Sequence, residues 1–290
     1  MTKRIILFLL MCLAPTTTSY KVAAQGFDIV DQFRNTISLV QTGIDDLLDT
    51  KTLQGTQLRL GLAIGTTPDY PGSNNYSFRA LPLITVKYKD KWEMDNGHFT
   101  YNLYKNGNWT VGPLISSNFG REERQNRILR GLGDIGDTVD LGVFIKYNNL
   151  KTGTLLDTRW RHGLSKGQAF RVEMTLAQAF YKKDNLLMLA GFRAKYFDET
   201  TMQTNYGITE EQAANSEYGF DAFKADSGFS EAMAALVAMR EFPKQRMRLM
   251  GVLSYGRILG NANDSPLVSG GPAVGGASQV IFGTALTFSF

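Results

Sequence analysis

Apolar side chains recur at every second position along most of this chain. In residues 57–65, Leu58, Leu60, Leu62 and Ile64 alternate with Gln57, Arg59, Gly61, Ala63 and Gly65, the period-two signature of a strand with two unlike faces. The pattern returns in Phe99, Tyr101 and Leu103, and again in Val139, Leu141, Val143, Ile145 and Tyr147. Phe170, Val172, Met174 and Leu176 repeat it, as do Met188, Ala190, Phe192 and Tyr196. Met247, Leu249, Leu253 and Tyr255 follow, then Val280, Phe282, Leu286, Phe288 and Phe290. These runs predict strands near residues 57–66, 77–88, 91–95, 98–104, 108–119, 138–148, 153–161, 168–181, 185–197, 228–241, 246–259 and 278–290. The total is twelve, and it stays even only if Asn96-Gly97 is a two-residue hairpin turn between short strands.

Such alternation suits a soluble sandwich or a membrane barrel. Two features favour the barrel. The polar face mixes charge with Gly and Ala, as a polar lumen does, and aromatics gather beside tight turns: Tyr88 and Trp92, Tyr104 and Trp109, and Tyr181. Turns near residues 88–91, 105–107, 149–152, 182–184 and 242–245 would lie on one rim. Long loops at 67–76, 120–137, 198–227 and 260–277 would lie on the other, which is the rule for periplasmic turns and outer loops. Phe290, ending an alternating strand, resembles the C-terminal signature of bacterial outer-membrane proteins.

The inward face would then carry Arg59, Arg79, Lys146, Arg159, Arg161, Arg171, Arg193, Lys195, Arg246 and Arg248 against Asp140, Asp157, Glu173 and Glu231. That excess of positive charge suits an anion-preferring channel. The competing expectation is a closed interior in which the charges pair.

The first residues break the pattern. Lys3 and Arg4, the apolar run Ile5–Leu13 and Val22-Ala23-Ala24 have the three parts of a secretory signal cleaved near Ala24. The run is too short for a membrane helix, which needs about 20 residues. Loss of Lys3, Arg4 and Lys21 leaves 28 basic residues against 27 acidic ones, so the net charge of +4 falls to +1 and the argument for nucleic acid disappears. Cys12, the one cysteine, leaves with the signal, which removes disulfide and thiol chemistry. Residues 25–56 do not alternate. Val30, Phe33, Ile37, Val40, Ile44 and Leu47 recur at three-four spacing, predicting an amphipathic periplasmic helix that could plug the lumen, lie on the membrane surface or bind a partner.

With His98 and His162 the only histidines, no metal site or cofactor is expected. Ser116, Ser117 and Ser165 lack triad spacing to either histidine, and no enzymatic activity is expected. Asp69, Tyr70, Gly72 and Ser73, and Asp264, Ser265 and Pro266, form loop motifs that could contact a ligand. Turn chemistry explains the same residue types.

Five blocks carry a family resemblance. They are Gly65–Ser73, Arg79–Ile84, Leu129–Asp134 with Arg130, Gly131 and Asp134, Tyr206–Thr209, and Leu259–Val268. In order and spacing they resemble the MltA-interacting protein (MipA/OmpV) family over residues 57–290. The resemblance implies an all-β transmembrane antiparallel up-and-down barrel of about 12 strands in the bacterial outer membrane, in contact with outer-membrane lipid. It also implies a scaffold for a periplasmic murein transglycosylase and a murein synthase, or a porin-like protein; the lumen charges make a narrow anion or solute channel the alternative, and a barrel lipid hydrolase comes third. The long N-terminal segment departs from the family pattern.

Overall fold

The computed structural model describes residues 55–271 and 274–290. The signal peptide expected over residues 1–24 and the helix expected from Val30 to Leu47 lie outside the described residues.

The alternating runs form thirteen antiparallel strands: β1 (Thr56–Pro68), β2 (Tyr76–Tyr88), β3 (Trp92–Asp95), β4 (His98–Tyr101), β5 (Tyr104–Asn106), β6 (Trp109–Asn118), β7 (Thr138–Asn149), β8 (Thr154–Gly163), β9 (Phe170–Lys183), β10 (Leu186–Phe197), β11 (Gly228–Phe242), β12 (Met247–Ile258) and β13 (Ser278–Ser289). Neighbours in sequence are neighbours in space, β1 pairs with β13, and a β4–β6 pairing closes the ring. The result is a twelve-stranded barrel in which β4 and β5 act as one interrupted strand along β6. Closure leaves no free sheet edge around most of the wall, which is what a bilayer requires of strands.

Local chemistry explains the irregular points. Asn96 and Gly97 have φ of 48° and 90°, the left-handed pair that a two-residue hairpin demands. Between β4 and β5, Asn102 and Leu103 fall out of register, and a Cβ on Gly112 of the facing strand would overlap the Tyr101 carbonyl oxygen. Ser117 donates its backbone N–H to Gly97, toward β4. Pro113, four residues earlier, therefore aims its missing N–H at this interruption, where a proline is tolerated. Likewise Ile84 directs its N–H and C=O to Asn96. Pro82, of the same parity, points past the end of β3, where β2 has no partner strand among the described residues.

Even positions of β1 and β13 face outward: Leu62, Phe282, Leu286 and Phe288 are among the exposed large apolar residues. Aromatic pairs ring the short-turn rim, with Tyr88 stacked on Trp92 and Trp109 tilted against Tyr147 at centroid distances of 5.8 and 4.8 Å. At the opposite rim the longest loops fold into short helices: α1 (Glu199–Tyr206) and α2 (Glu210–Asn215) between β10 and β11, and α3 (Gly260–Asp264) and α4 (Pro266–Ser269) between β12 and β13. Asp198 and Thr209 cap α1 and α2 through their side chains.

The interior is not uniformly polar. Leu83, Leu187, Leu189, Val237, Met239, Met250, Val252 and Ile281 form an inward-facing apolar cluster. The simple picture of greasy outside and polar inside therefore fails on β10–β13. In those strands the apolar runs are nearly continuous, as at Leu186–Ala190 and Ala232–Met239, the pattern of strands apolar on both faces.

Candidate functional site: the charged lumen and its outer cap

Strand parity sends ten cations into the lumen: Arg59, Arg79, Lys87, Lys146, Arg159, Arg161, Arg171, Arg193, Lys195 and Arg248. Seven acids accompany them: Glu93, Asp95, Asp140, Asp157, Glu173, Glu231 and Glu241. Arg246 is not among the cations. It is exposed in the turn between β11 and β12 with φ of 52°, because the three residues Pro243–Gln245 form a 3-10 turn that starts β12 at Met247.

Most of these charges are paired across strands. Arg171 on β9 donates to Asp140 on β7 at 2.9 Å, reaching past β8, and donates also to the Gln168 amide oxygen at 3.3 Å. Arg161 meets Glu173 at 3.3 Å and Arg159 meets Asp157 at 2.8 Å. Glu231 accepts from both Arg193 and Lys195, at 3.4 and 3.1 Å. Lys87 meets Glu93 at 3.5 Å, and Arg248 holds Glu241. Lys146 lies over the Phe144 ring, 5.0 Å from its centroid, and Arg59 donates to the Ser289 hydroxyl at 3.3 Å. Burying an ion is costly unless a counter-charge and hydrogen bonds accompany it. Asp140 is 0% and Glu173 2% exposed, so these pairs organise the interior rather than decorate it.

Hairpin register adds a juxtaposition that spacing in sequence concealed. Asp95 on β3 lies opposite His98 on β4, His98 opposite Ser116 on β6, and Ser116 opposite Asp140 on β7. Acid, imidazole and hydroxyl thus form one inward row. The Ser116 hydroxyl, 0% exposed, sits in this row between His98 and Asp140. His162 faces outward on β8, and Ser165 donates to the Asp137 carbonyl in the following loop at 3.0 Å.

The loop motifs converge above the lumen. Tyr70, 1% exposed, donates its hydroxyl toward the carbonyls of Val274 and Leu267 at 2.9 and 3.2 Å. Burial pushes its phenol well above the usual range, against the nearby Arg121 charge. Around it pack Ile128, Leu129 and Leu132 from the β6–β7 loop, Ile208 and Phe220 from the β10–β11 loop, and Leu267 from the β12–β13 loop. These loops rise from widely separated points of the ring, so their meeting carries a small apolar core across the mouth. A second cluster, including Met202, Tyr206, Ala262 and Val268, extends it.

Each motif residue has a part in this cap. Asp69 accepts from Asn126 at 3.0 Å and from the Ser77 hydroxyl, with Arg79 3.8 Å away. Gly72 has φ of 97°, and buried Ser73 bridges to Gly275. A Cβ on Gly131, at φ of 86°, would overlap the Asn215 carbonyl at the end of α2. Asp134 accepts from the Glu123 N–H at 2.8 Å, and Arg130 pairs loosely with Glu217 at 3.7 Å on the surface. Ser265 donates to the Tyr206 carbonyl at 2.6 Å while capping α4, which Pro266 begins; Asp264 ends α3. A cavity of about 360 Å³ lined by Asn75, Asn126, Arg127, Ile128, Glu217 and Tyr218 opens in this cap. Among the described residues no His, Cys, Asp and Glu cluster suits a metal ion.

The residues that build the cap and barrel match a known pattern: the family model described as "MltA-interacting protein MipA" covers residues 60–290. The chain belongs to the MipA family. It is an outer-membrane β-barrel. Among solved structures it is similar to the NanC porin, with 8% identity and a TM-score of 0.41 over 80% of this chain and 98% of that one. The Vibrio cholerae outer-membrane protein OmpT is similar at 9% identity and TM-score 0.38, over 81% and 97%. The KdgM porin is similar at 9% and 0.36, over 81% and 99%. No curated protein matches the chain. In this MipA-family barrel, four of the five motif blocks belong to the cap, and the fifth, Arg79–Ile84, lies in β2 beneath it.

Proposed function

We propose that this MipA-family barrel is a non-enzymatic scaffold that holds murein-processing enzymes at the periplasmic face of the outer membrane. The observation that carries the reading is the cap. Four loops meet over the outer mouth around Tyr70, while the other rim, among the described residues, is built of short turns. Paired lumen charges support the same reading, because an interior committed to its own ion pairs has little left for a passing solute. The family description names MltA as the interacting protein; the resemblance implies a murein transglycosylase as that partner and a murein synthase as the second. Crosslinking in intact cells, followed by identification of what the barrel captures, tests the proposal. Recovery of both murein enzymes supports it, and recovery of neither overturns it.

One observation favours a second reading, a narrow anion-preferring channel: ten inward cations face seven inward acids. Planar-bilayer recordings decide it. Current steps with anion preference support the channel; silence, or cation preference, removes it.

A further inference from the structure

The short-turn rim carries a charge that neither a scaffold nor a channel uses. The β2–β3 turn contains Lys89 and Lys91, the β7–β8 turn Lys151, and the β11–β12 turn Lys244 and Arg246. Lys105 precedes the β5–β6 turn, and Lys182 and Lys183 precede the β9–β10 turn. All eight are exposed, and the exposed acids within two residues of these turns are Asp90 and Asp184, which leaves +6. At the opposite end, the connections at residues 69–75, 119–137, 164–169, 198–227 and 259–277 hold thirteen acids against six cations, a net −7. The two ends of the barrel are therefore oppositely charged.

Depth and distribution say what these lysines meet. Each of the five turns has two to four residues, and a four-residue turn reaches at most about 7 Å beyond its strands. The headgroup layer on each side of a bilayer is about 5–7 Å deep. Tyr88, Trp92, Trp109 and Tyr147 sit beside the turns and mark the same level. The ammonium groups thus end among lipid phosphates rather than out in the periplasm. Lys105 already holds Asp90 at 3.2 Å, and Lys89 lies over the Tyr88 ring at 5.3 Å. Among the described residues, Lys91, Lys151, Lys182, Lys183 and Lys244 have no ion-pair partner. The five turns are spread around the ring from β2 to β12. A folded partner or a polymer strand would touch one arc of such a ring, whereas annular lipid meets all of it.

We propose that the short-turn rim is a collar that gathers anionic phospholipid headgroups around the barrel. Each lysine near the membrane surface is drawn to anionic lipid, and the acidic outer end exerts no such pull, so the selectivity is confined to one leaflet. The inference depends on neither reading of function above, and failure of murein-enzyme capture leaves it standing.

Quenching of tryptophan fluorescence by lipids with brominated acyl chains tests it, using the full chain in vesicles of equimolar phosphatidylglycerol and phosphatidylcholine. A Trp160→Phe background leaves Trp92 and Trp109, both beside the rim, as reporters. Brominating one lipid and then the other gives the local ratio of the two, which should exceed the bulk ratio by at least about twofold at low salt. Replacing Lys91, Lys151, Lys182, Lys183 and Lys244 together by Gln should at least halve that ratio. So should 1 M NaCl, where the screening length is about 3 Å. Arg124→Gln, Arg127→Gln and Lys166→Gln at the outer end should leave it unchanged. The proposal is overturned by a wild-type ratio below about twofold, by a smaller loss in the five-lysine variant, or by an equal loss in the outer-end variant. Sedimentation with isolated murein sacculi that needs the five lysines, without lipid enrichment, assigns the rim to that polymer and overturns it equally. Heat-dependent gel mobility confirms the folded barrel; should the five-lysine variant not fold, the salt dependence of the wild-type rim decides.

Discussion

The Asp140–Arg171 pair is the sharpest test of whether the interior is packed or water-filled. Its atoms lie 2.9 Å apart with Asp140 0% exposed. At an effective dielectric of about 20, that separation corresponds to about 6 kcal/mol of attraction, against which desolvation of both ions must be set. Removing one partner strands the other charge, so Asp140→Ala and Arg171→Met should each destabilise the barrel by about 3–5 kcal/mol. The double variant buries no orphaned charge, and its cost should fall short of the sum of the singles by about 2–3 kcal/mol. Urea unfolding in detergent, followed through the three tryptophans and by heat-dependent gel mobility, measures all four stabilities. Single variants that cost under about 1 kcal/mol and add independently would mean a pair screened by water, since exposed pairs are worth that little. The packed, self-paired lumen, and with it the case against an open pore, would then be wrong.

The cap yields further expectations. Tyr70→Phe removes the hydroxyl shared by the Val274 and Leu267 carbonyls and should cost about 1–3 kcal/mol, read as faster proteolysis of the outer loops with the barrel intact. Burial raises the Tyr70 phenol, so the folded cap favours the protonated form: its contribution is complete below the unfolded value near pH 10 and is lost as pH rises above it, by up to about 1.4 kcal/mol per unit. Loop proteolysis in the wild-type chain should therefore accelerate above about pH 10, and Tyr70→Phe should flatten that rise. Gly131→Ala places a Cβ at a left-handed position against the Asn215 carbonyl and should loosen α2, seen as earlier hydrogen exchange there than in the strands. Ser265→Ala removes the donor to the Tyr206 carbonyl and the cap of α4, at about 1–2 kcal/mol by the same protease assay.

Local properties were readable from the chain before any coordinates. Period-two alternation gives strands wherever one face meets lipid, which is why Leu58–Ile64 and Val280–Phe290 announce themselves. Asn96-Gly97 marks a hairpin because few residues adopt its backbone angles, and that turn secured the even strand number. The sorting of short turns from long loops followed from the same reading. Arg246 was misplaced because alternation was extended through a turn whose left-handed residue only the backbone reveals.

Closure of the barrel decided the rest. Asp140 and Arg171 are 31 residues apart and on strands separated by a third; their meeting depends on register accumulated across two hairpins. His98 and Ser116 become neighbours for the same reason. The apolar wall of β10–β13 was visible only as runs lacking alternation, which a strand pattern treats as noise until the ring shows that both faces are occupied. Loop residues such as Tyr70, Gly131 and Ser265 have turn chemistry in sequence and become a cap core only when loops from distant parts of the ring meet. Periodicity is a property of adjacent residues, whereas charge pairing, interior filling and loop convergence are properties of a closed surface. The first is carried by the chain alone; the others exist only once the surface has closed.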